Sequence, residues 1–419
     1  MENKLIDHLF RYHSGKMVSV LTRIFGLSHL ETIEDAVQDT FIKASVAWRQ
    51  QQPENPEAWL TKAAKNRVLD IFRKLKAEKN LLPNLQQSRD FIAVNELFLD
   101  AEIEDAQLRM IFTACHPDLD PRDRISFALK TVSGFSIKEI ASALLTKEET
   151  VKKRLFRARK TIQKGTIQFH IPQGKALPQR LESVMEVLYL IFNEGFHSNT
   201  QEQLIRKELC GEAMRLCQML LKNELTRSSV VYALFALMCF HSARLEAKIN
   251  SSNEILDLKQ QDRSLWHFPL VQLGNTMMNK AVLDPEYSCY HYEAAIAAEH
   301  LRAEHFDDTN WTKILYWYEC LYAMQPIPIH ILTMAVVCLQ SLDFDKAKHY
   351  LEQLEASDLE QRSYLYYGTL SDYYYATKNI EKAIEYLDLA LQTVTNSLEK
   401  EHLQRKRITL TNSTLKRKS

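Results

Sequence analysis

Glycine and proline are scarce in this chain, 9 and 11 among 419 residues, against usual shares of about 7% and 5%. So few breakers, with abundant Leu, Ala, Glu, Lys and Gln, predict an all-α protein and exclude Gly-rich loops that cradle phosphates. The chain also lacks any CxxC pair. Its seven cysteines (Cys115, Cys210, Cys217, Cys239, Cys289, Cys320, Cys338) stand singly, which fits reduced thiols in a cytoplasm better than a disulfide framework. The longest apolar run, Val230–Phe240, is too short to span a bilayer. The opening MENKLIDHLFRYHSGK has no apolar core of the signal-peptide kind. A soluble, cytoplasmic protein without a membrane partner is the expectation. Net charge is lacking as well, but only in total: residues 1–170 hold 27 Lys and Arg against 22 Asp and Glu, leaving 26 against 31 for the rest. A nucleic-acid partner is therefore expected for the front half alone.

What is present centres on Ser136–Lys164. Ile137, Ile140, Ala141 and Leu144 form one i, i+3, i+4, i+7 stripe, and Val151, Leu155, Ala158 and Ile162 form a second. Ser136 with Glu139, and Thr146 with Glu149, have the spacing of capping boxes. Only Leu145 and Thr146 remain for the turn, so the spacing predicts a helix-turn-helix, although Leu145 stands where many such turns have glycine. The second helix carries Lys147, Lys152, Lys153, Arg154, Arg157, Arg159, Lys160 and Lys164 around its apolar stripe. Such a helix docks by one face and lies along phosphates with the rest.

Upstream, residues 5–26 read as one helix, and Ser28 with Glu31 opens another running to about Trp48. That second helix turns Ile33, Val37, Phe41 and Ala44 inward and Glu34, Asp35, Gln38 and Asp39 outward. Asn55 caps a third helix with Pro56 at its first position. This helix, Glu57–Lys79, interleaves Lys62, Lys65, Arg67, Arg73, Lys74, Lys76 and Lys79 with Trp59 and Phe72, a pattern suited to melting nucleic acid or simply to a basic face over core aromatics.

EDAVQDTFIKASVAW, then PEAWLTKAAKNRVLDIFRK, then RLFRARKTI together resemble bacterial sigma-70-family factors of the extracytoplasmic-function (ECF) type. The resemblance implies that Glu34, Asp35, Gln38, Asp39 and Phe41 dock on core RNA polymerase (region 2.2). It implies that Asn55, Lys62, Lys65, Asn66, Arg67, Arg73 and Lys74 meet the minus-ten promoter element, with the Trp48–Asn55 loop placed to capture a flipped base. Thr150, Lys152, Lys153, Arg154, Arg157 and Lys160 would read the minus-thirty-five element (region 4). The implied domains are region 2 at 1–80, an acidic linker at 81–106 and region 4 at 107–170. Cys115-His116 has no further metal ligands within easy reach, so neither metal nor cofactor is expected.

From Leu181 the chain becomes a succession of amphipathic helices without basic clusters. Asp343-Phe-Asp-Lys-Ala347 recurs as Asn379-Ile-Glu-Lys-Ala383, offset by 36 residues, close to the tetratricopeptide period of 34. VLYLIFNEGF, QDRSLW, YHYEAAIAAEH and TNWTKI resemble the C-terminal extension of one ECF group, with Thr333-Met334 departing from that group's Asn-Arg pair. A tetratricopeptide-like domain at 181–404 and a basic tail at 405–419 are expected, leaving open a regulatory protein or ligand as partner. Glu194, His197, Asp262, Arg263, Glu293, Glu299 and His300 form no catalytic motif, so no enzyme activity is expected. The alternative is a stand-alone helix-turn-helix regulator whose repeat domain senses a ligand or partner.

Overall fold

The computed structural model describes residues 2–49, 51–78, 100–144, 146–196, 207–248, 250, 256–395 and 397–418, leaving aside the side chains of 2–8, 10–12, 72, 74–78, 100, 101, 361, 397, 398 and 412–418. Most of the expected linker, the turn residue Leu145, His197 and the side chains of Phe72, Lys74, Lys76, Lys416, Arg417 and Lys418 fall outside these. Among the described residues there are eighteen α-helices, short 3-10 turns and no strand. The chain divides into two compact units, Met1–Gly195 with Arg206–Arg227, and Phe196–Ile205 with Ser228–Ser419.

In the first unit, α1 (Glu2–Phe25), α2 (Leu30–Ala47) and α3 (Pro56–Glu78) pack on one another. Gly26, at φ 93, ends the approach from α1. Leu27–His29 is a 3-10 turn, so α2 starts at Leu30 with no side-chain cap; the predicted start at Ser28 is two residues early because the 3-10 turn takes its place. Asn55 does cap α3, its Oδ1 accepting from the Ala58 N–H at 3.0 Å. Then follow α4 (Asp100–Ala114), α5 (Pro121–Thr131), α6 (Ile137–Ala143) and α7 (Glu148–Gln163). Asp120 caps α5, with Pro121 at the first position.

The capping box of α6 forms as the sequence predicts: Glu139 N–H donates to Ser136 Oγ at 3.1 Å and Ser136 N–H to the Glu139 carboxylate at 2.8 Å. The second box does not form. Helix α7 is capped by Lys147 without a side-chain bond, because the Thr146 N–H closes back on Ala141 O and Glu149 turns to Lys152. The predicted stripe of α7 is nonetheless the buried one: Val151, Leu155, Ala158 and Ile162 are each 5% exposed or less. The burial stabilises by about 1.5–3 kcal/mol for each of the larger side chains. Two further helices, α8 (Ala176–Phe196) and α9 (Lys207–Lys222), belong largely to this unit. They carry it past the boundary expected near residue 181. Arg180 donates to Phe112 O, and Lys222 pairs with Glu104 at 2.9 Å.

The second unit begins with α10 (Ser229–Ala243), which is apolar around its circumference and has ten buried residues. Helix α11 (Phe268–Ala281) lies against it at Gly274, where a Cβ would stand 2.5 Å from the Phe240 ring; only glycine permits that approach. Helices α12 (Cys289–Arg302), α13 (Trp311–Met324), α14 (Pro328–Gln340), α15 (Phe344–Leu351), α16 (Ser363–Ala376), α17 (Ile380–Thr393) and α18 (Ser397–Lys418) follow.

The sequence repeat is a structural one. Asp343 caps α15 by accepting from Lys346 N–H, and Asn379 caps α17 by accepting from Lys382 N–H. The residues before them, Leu342 and Lys378, both turn to positive φ, 61 and 64. Tyr367, Tyr374, Ala383, Leu387 and Ala390 share one core with Leu403 and Leu410. The chain beyond Arg405, expected as a tail, therefore continues α18, anchored by buried Leu410. Met334 is buried in the neighbouring core, and Thr333 bonds back to Ile329 O at 2.8 Å.

Candidate nucleic-acid interface

The exposed side of α7 is built by elimination. With Val151, Leu155, Ala158 and Ile162 facing the core, Lys152, Lys153, Phe156 and Lys160 face outward. Lys152 also reaches Glu149 at 2.6 Å, an exposed pair of small worth that a phosphate can displace. Thr150 and Arg154 lie half-buried at the edges of this face. Arg157 is held differently, donating through Nε and Nη2 to both oxygens of Asp123, at 2.9 and 2.6 Å. The Asp123 side chain is only 4% exposed, so Arg157 is a tie between α5 and α7. Phe156, 66% exposed at the centre of the basic face, was not among the sequence candidates. Its signal was its phase, one position after Leu155 and opposite the stripe.

On α3, Lys62, Asn66 and Arg73 are exposed, and Arg73 pairs with Asp70 at 3.2 Å. Lys65 is buried, and burial first and Lys62 second hold its ammonium pKa below the ordinary range. Arg67 donates to Asp39 at 3.0 Å, so a residue expected at DNA and one expected at polymerase satisfy each other. Trp48 packs edge-on against Trp59 at 5.6 Å, pinning the start of the 48–55 loop on α3.

On α2 the outward set is smaller than the sequence phase predicts. Asp35 and Gln38 are exposed and Asp39 is half-buried. Phe41, 4% exposed, is a core residue, in keeping with its place in the i, i+4 stripe below Val37. Glu34, 8% exposed, is buried, because α7 covers it: Arg159 Nη2 donates to its Oε2 and Nη1 stands 4.0 Å from Glu31. Burial raises the Glu34 pKa above the ordinary carboxylate value, and Arg159 opposes that shift. Asp35 is raised as well, by burial and then by Glu31. The sequence counts Arg159 only among the cations of this helix; its bond to Glu34 has no local signal, the two residues being 125 positions apart.

In the second unit the polar motif residues tie helices together. Asp262 caps a turn through the Ser264 N–H, and Arg263 donates to His300 O and Ala303 O at the end of α12. Glu299 pairs with Lys313 at 2.9 Å. No helix among the described residues is long and apolar enough to cross a membrane.

Comparison with known proteins places these helices in sequence families. Residues 9–78 match the model of sigma-70 region 2, residues 109–162 that of sigma-70 region 4, and residues 180–282 that of a family of unknown function, DUF6596. An uncharacterised protein of Rhizobium meliloti is 32% identical over 314 residues, 74% of each chain. The ECF RNA polymerase sigma factor SigE of Mycolicibacterium smegmatis is 27% identical over 156 residues, 37% of this chain and 59% of that one. The ferric citrate uptake sigma factor FecI of Escherichia coli is 28% identical over 152 residues, 36% of this chain and 85% of that one. No solved structure matches.

Proposed function

We propose that this chain, which belongs to the ECF type of the sigma-70 family and carries a C-terminal helical extension, binds core RNA polymerase and directs it to promoters through minus-thirty-five and minus-ten contacts. The observation that carries the reading is the outward face of α7: Lys152, Lys153 and Lys160 around an exposed Phe156, on a helix docked by its opposite stripe. Lysines there neutralise phosphates, and Phe156 offers an apolar contact for a thymine methyl. Lys62, Asn66 and Arg73 on α3 serve the minus-ten strand, and Asp35 and Gln38 on α2 meet cations of polymerase, giving orientation more than raw affinity. The factor does no chemistry of its own. It works in the cytoplasm, and its extension modulates it through a partner protein or ligand.

Run-off transcription with bacterial core polymerase tests this. The full chain should direct a specific transcript, and Asp35→Lys should weaken core binding and reduce the transcript. Tight promoter binding without core, together with no transcript, would establish the stand-alone regulator instead.

A further inference from the structure

Between the end of α7 and the start of α8 runs a connector, residues 164–175, that neither sequence family covers: the region 4 match ends at 162 and the DUF6596 match begins at 180. Glycines turn it near both ends, Gly165 at φ 78 and Gly174 at φ 58. Ile167 and Ile171 anchor it within the first unit, 4% and 8% exposed. Against it stands a cavity of about 500 Å³, walled by three stretches far apart in sequence. Helix α4 supplies Asp105 and Arg109, the connector supplies His170, Ile171 and Gln173, and the turn after α9 supplies Asn223 and Leu225. Small-molecule sites usually measure about 300–1,000 Å³.

What this wall offers a ligand is mostly donors. Its one carboxylate, Asp105, is already engaged: Oδ2 accepts from Arg109 Nε at 2.8 Å and stands 2.9 Å from Arg23 Nη1. Glu102, the other partner of Arg23, is not part of the wall. Arg109 meets Asp105 through Nε, which leaves its Nη edge to the cavity. Asn223 Oδ1 accepts from the Leu225 N–H at 2.9 Å, so the end of its amide still to be satisfied is the NH2 donor. His170 and Gln173 are exposed on the connector near buried Ile171, and Leu225, 55% exposed, adds an apolar side. A guanidinium edge matches the oxygens of a carboxylate, and the apolar side beside it suits a carbon skeleton. We propose that this cavity binds a small organic carboxylate. Its charged end lies on Arg109 among the donors of His170, Gln173 and Asn223, and its hydrocarbon part lies on Ile171 and Leu225. The bound acid fastens the connector to α4 and to the turn after α9, tying the helix-turn-helix to the first helices of the extension. Neither polymerase nor promoter enters this inference, so it stands apart from the reading of the function given above.

The test uses the full chain and two fluorinated acids, 4-fluorobenzoate and 4-fluorophenylacetate, each beside its neutral carboxamide of the same shape. Fluorine NMR titrations should show saturable binding of at least one acid, with a dissociation constant on the order of 1 mM for so small a probe, and none of its carboxamide. Arg109→Gln should weaken that binding at least about tenfold, as loss of a charged hydrogen-bonding partner does. Leu225→Trp acts by an independent route: it replaces an exposed side chain, fills the cavity with an indole and should also abolish binding. Circular dichroism checks that both variants keep the helical fold. Amide hydrogen exchange of residues 164–175 should slow in saturating acid and stay unchanged with the carboxamide. No saturable response to either acid, equal responses to acid and carboxamide, or binding that survives both substitutions would overturn the site. Binding without slower exchange in the connector would overturn the fastening.

Discussion

At the residue scale, His300 separates the folded from the unfolded chain between about pH 6.5 and 4. Burial first, then Arg244 and Arg263, bring its imidazole down to about 4, and its Nδ1 has no partner. As pH falls through the ordinary value of 6.5, the unfolded chain takes up a proton that the folded chain refuses until about pH 4. Stability of the second unit therefore falls over this window, by at most about 3 kcal/mol. Urea midpoints followed by circular dichroism at pH 7 and 5 should show the loss, and His300→Gln should reduce it, the remainder coming from His291 and His330, which burial also lowers. The residue scale is also where the sequence is least legible. Helical phase put Glu34 on the exposed side of α2 and left Arg159 unassigned; what buries the one is the other, and no local signal joins residues 125 apart. Arg157 has the look of a phosphate contact until Asp123, a residue of another helix, is seen to hold it.

At the scale of the element, α7 was legible because its chemistry and its periodicity agree. An apolar stripe at Val151, Leu155, Ala158 and Ile162 can be buried in one way only, and that fixes which cations face outward. The capping boxes divide on the same ground. Ser136 and Glu139 bond each other's backbone N–H groups, whereas Glu149 turns to Lys152 one turn on. The outward face makes two separable predictions for the factor bound to core. Lys152→Gln or Lys153→Gln should weaken minus-thirty-five binding alike on all sequences and reduce the slope of log affinity against log salt by about 0.9 each. Phe156→Ala should leave that slope alone. Replacing a minus-thirty-five thymine by deoxyuridine, which removes the methyl group, should cost the unmodified factor about 0.8 kcal/mol and the Phe156→Ala variant nothing. Fluorescence anisotropy titrations measure both.

At the scale of the whole molecule, the all-helical class followed from scarce breakers, but the compact unit into which the first helices after residue 175 pack did not. Helix α8 looks like the start of the extension by composition, yet Arg180 reaches Phe112 O, and Val184, Leu188, Ile191 and Phe192 are all buried. Apolar helices advertise that they need a partner, never which one. A fragment ending at residue 170 should accordingly melt at least about 5 °C below one ending at 227, as the loss of a few kcal/mol requires; differential scanning calorimetry of the two fragments decides it. In the extension, the repeat was visible through its caps, Asp343 and Asn379, while the turns themselves were hidden in ordinary-looking residues. Leu342 and Lys378 take up a left-handed backbone that costs an L-residue about 1–2 kcal/mol. That two unrelated side chains accept this cost at equivalent places means that stacking of the helix pairs, not local preference, dictates the turn. How the helix pairs meet at these two turns is thus written into their packing rather than into the turn residues themselves.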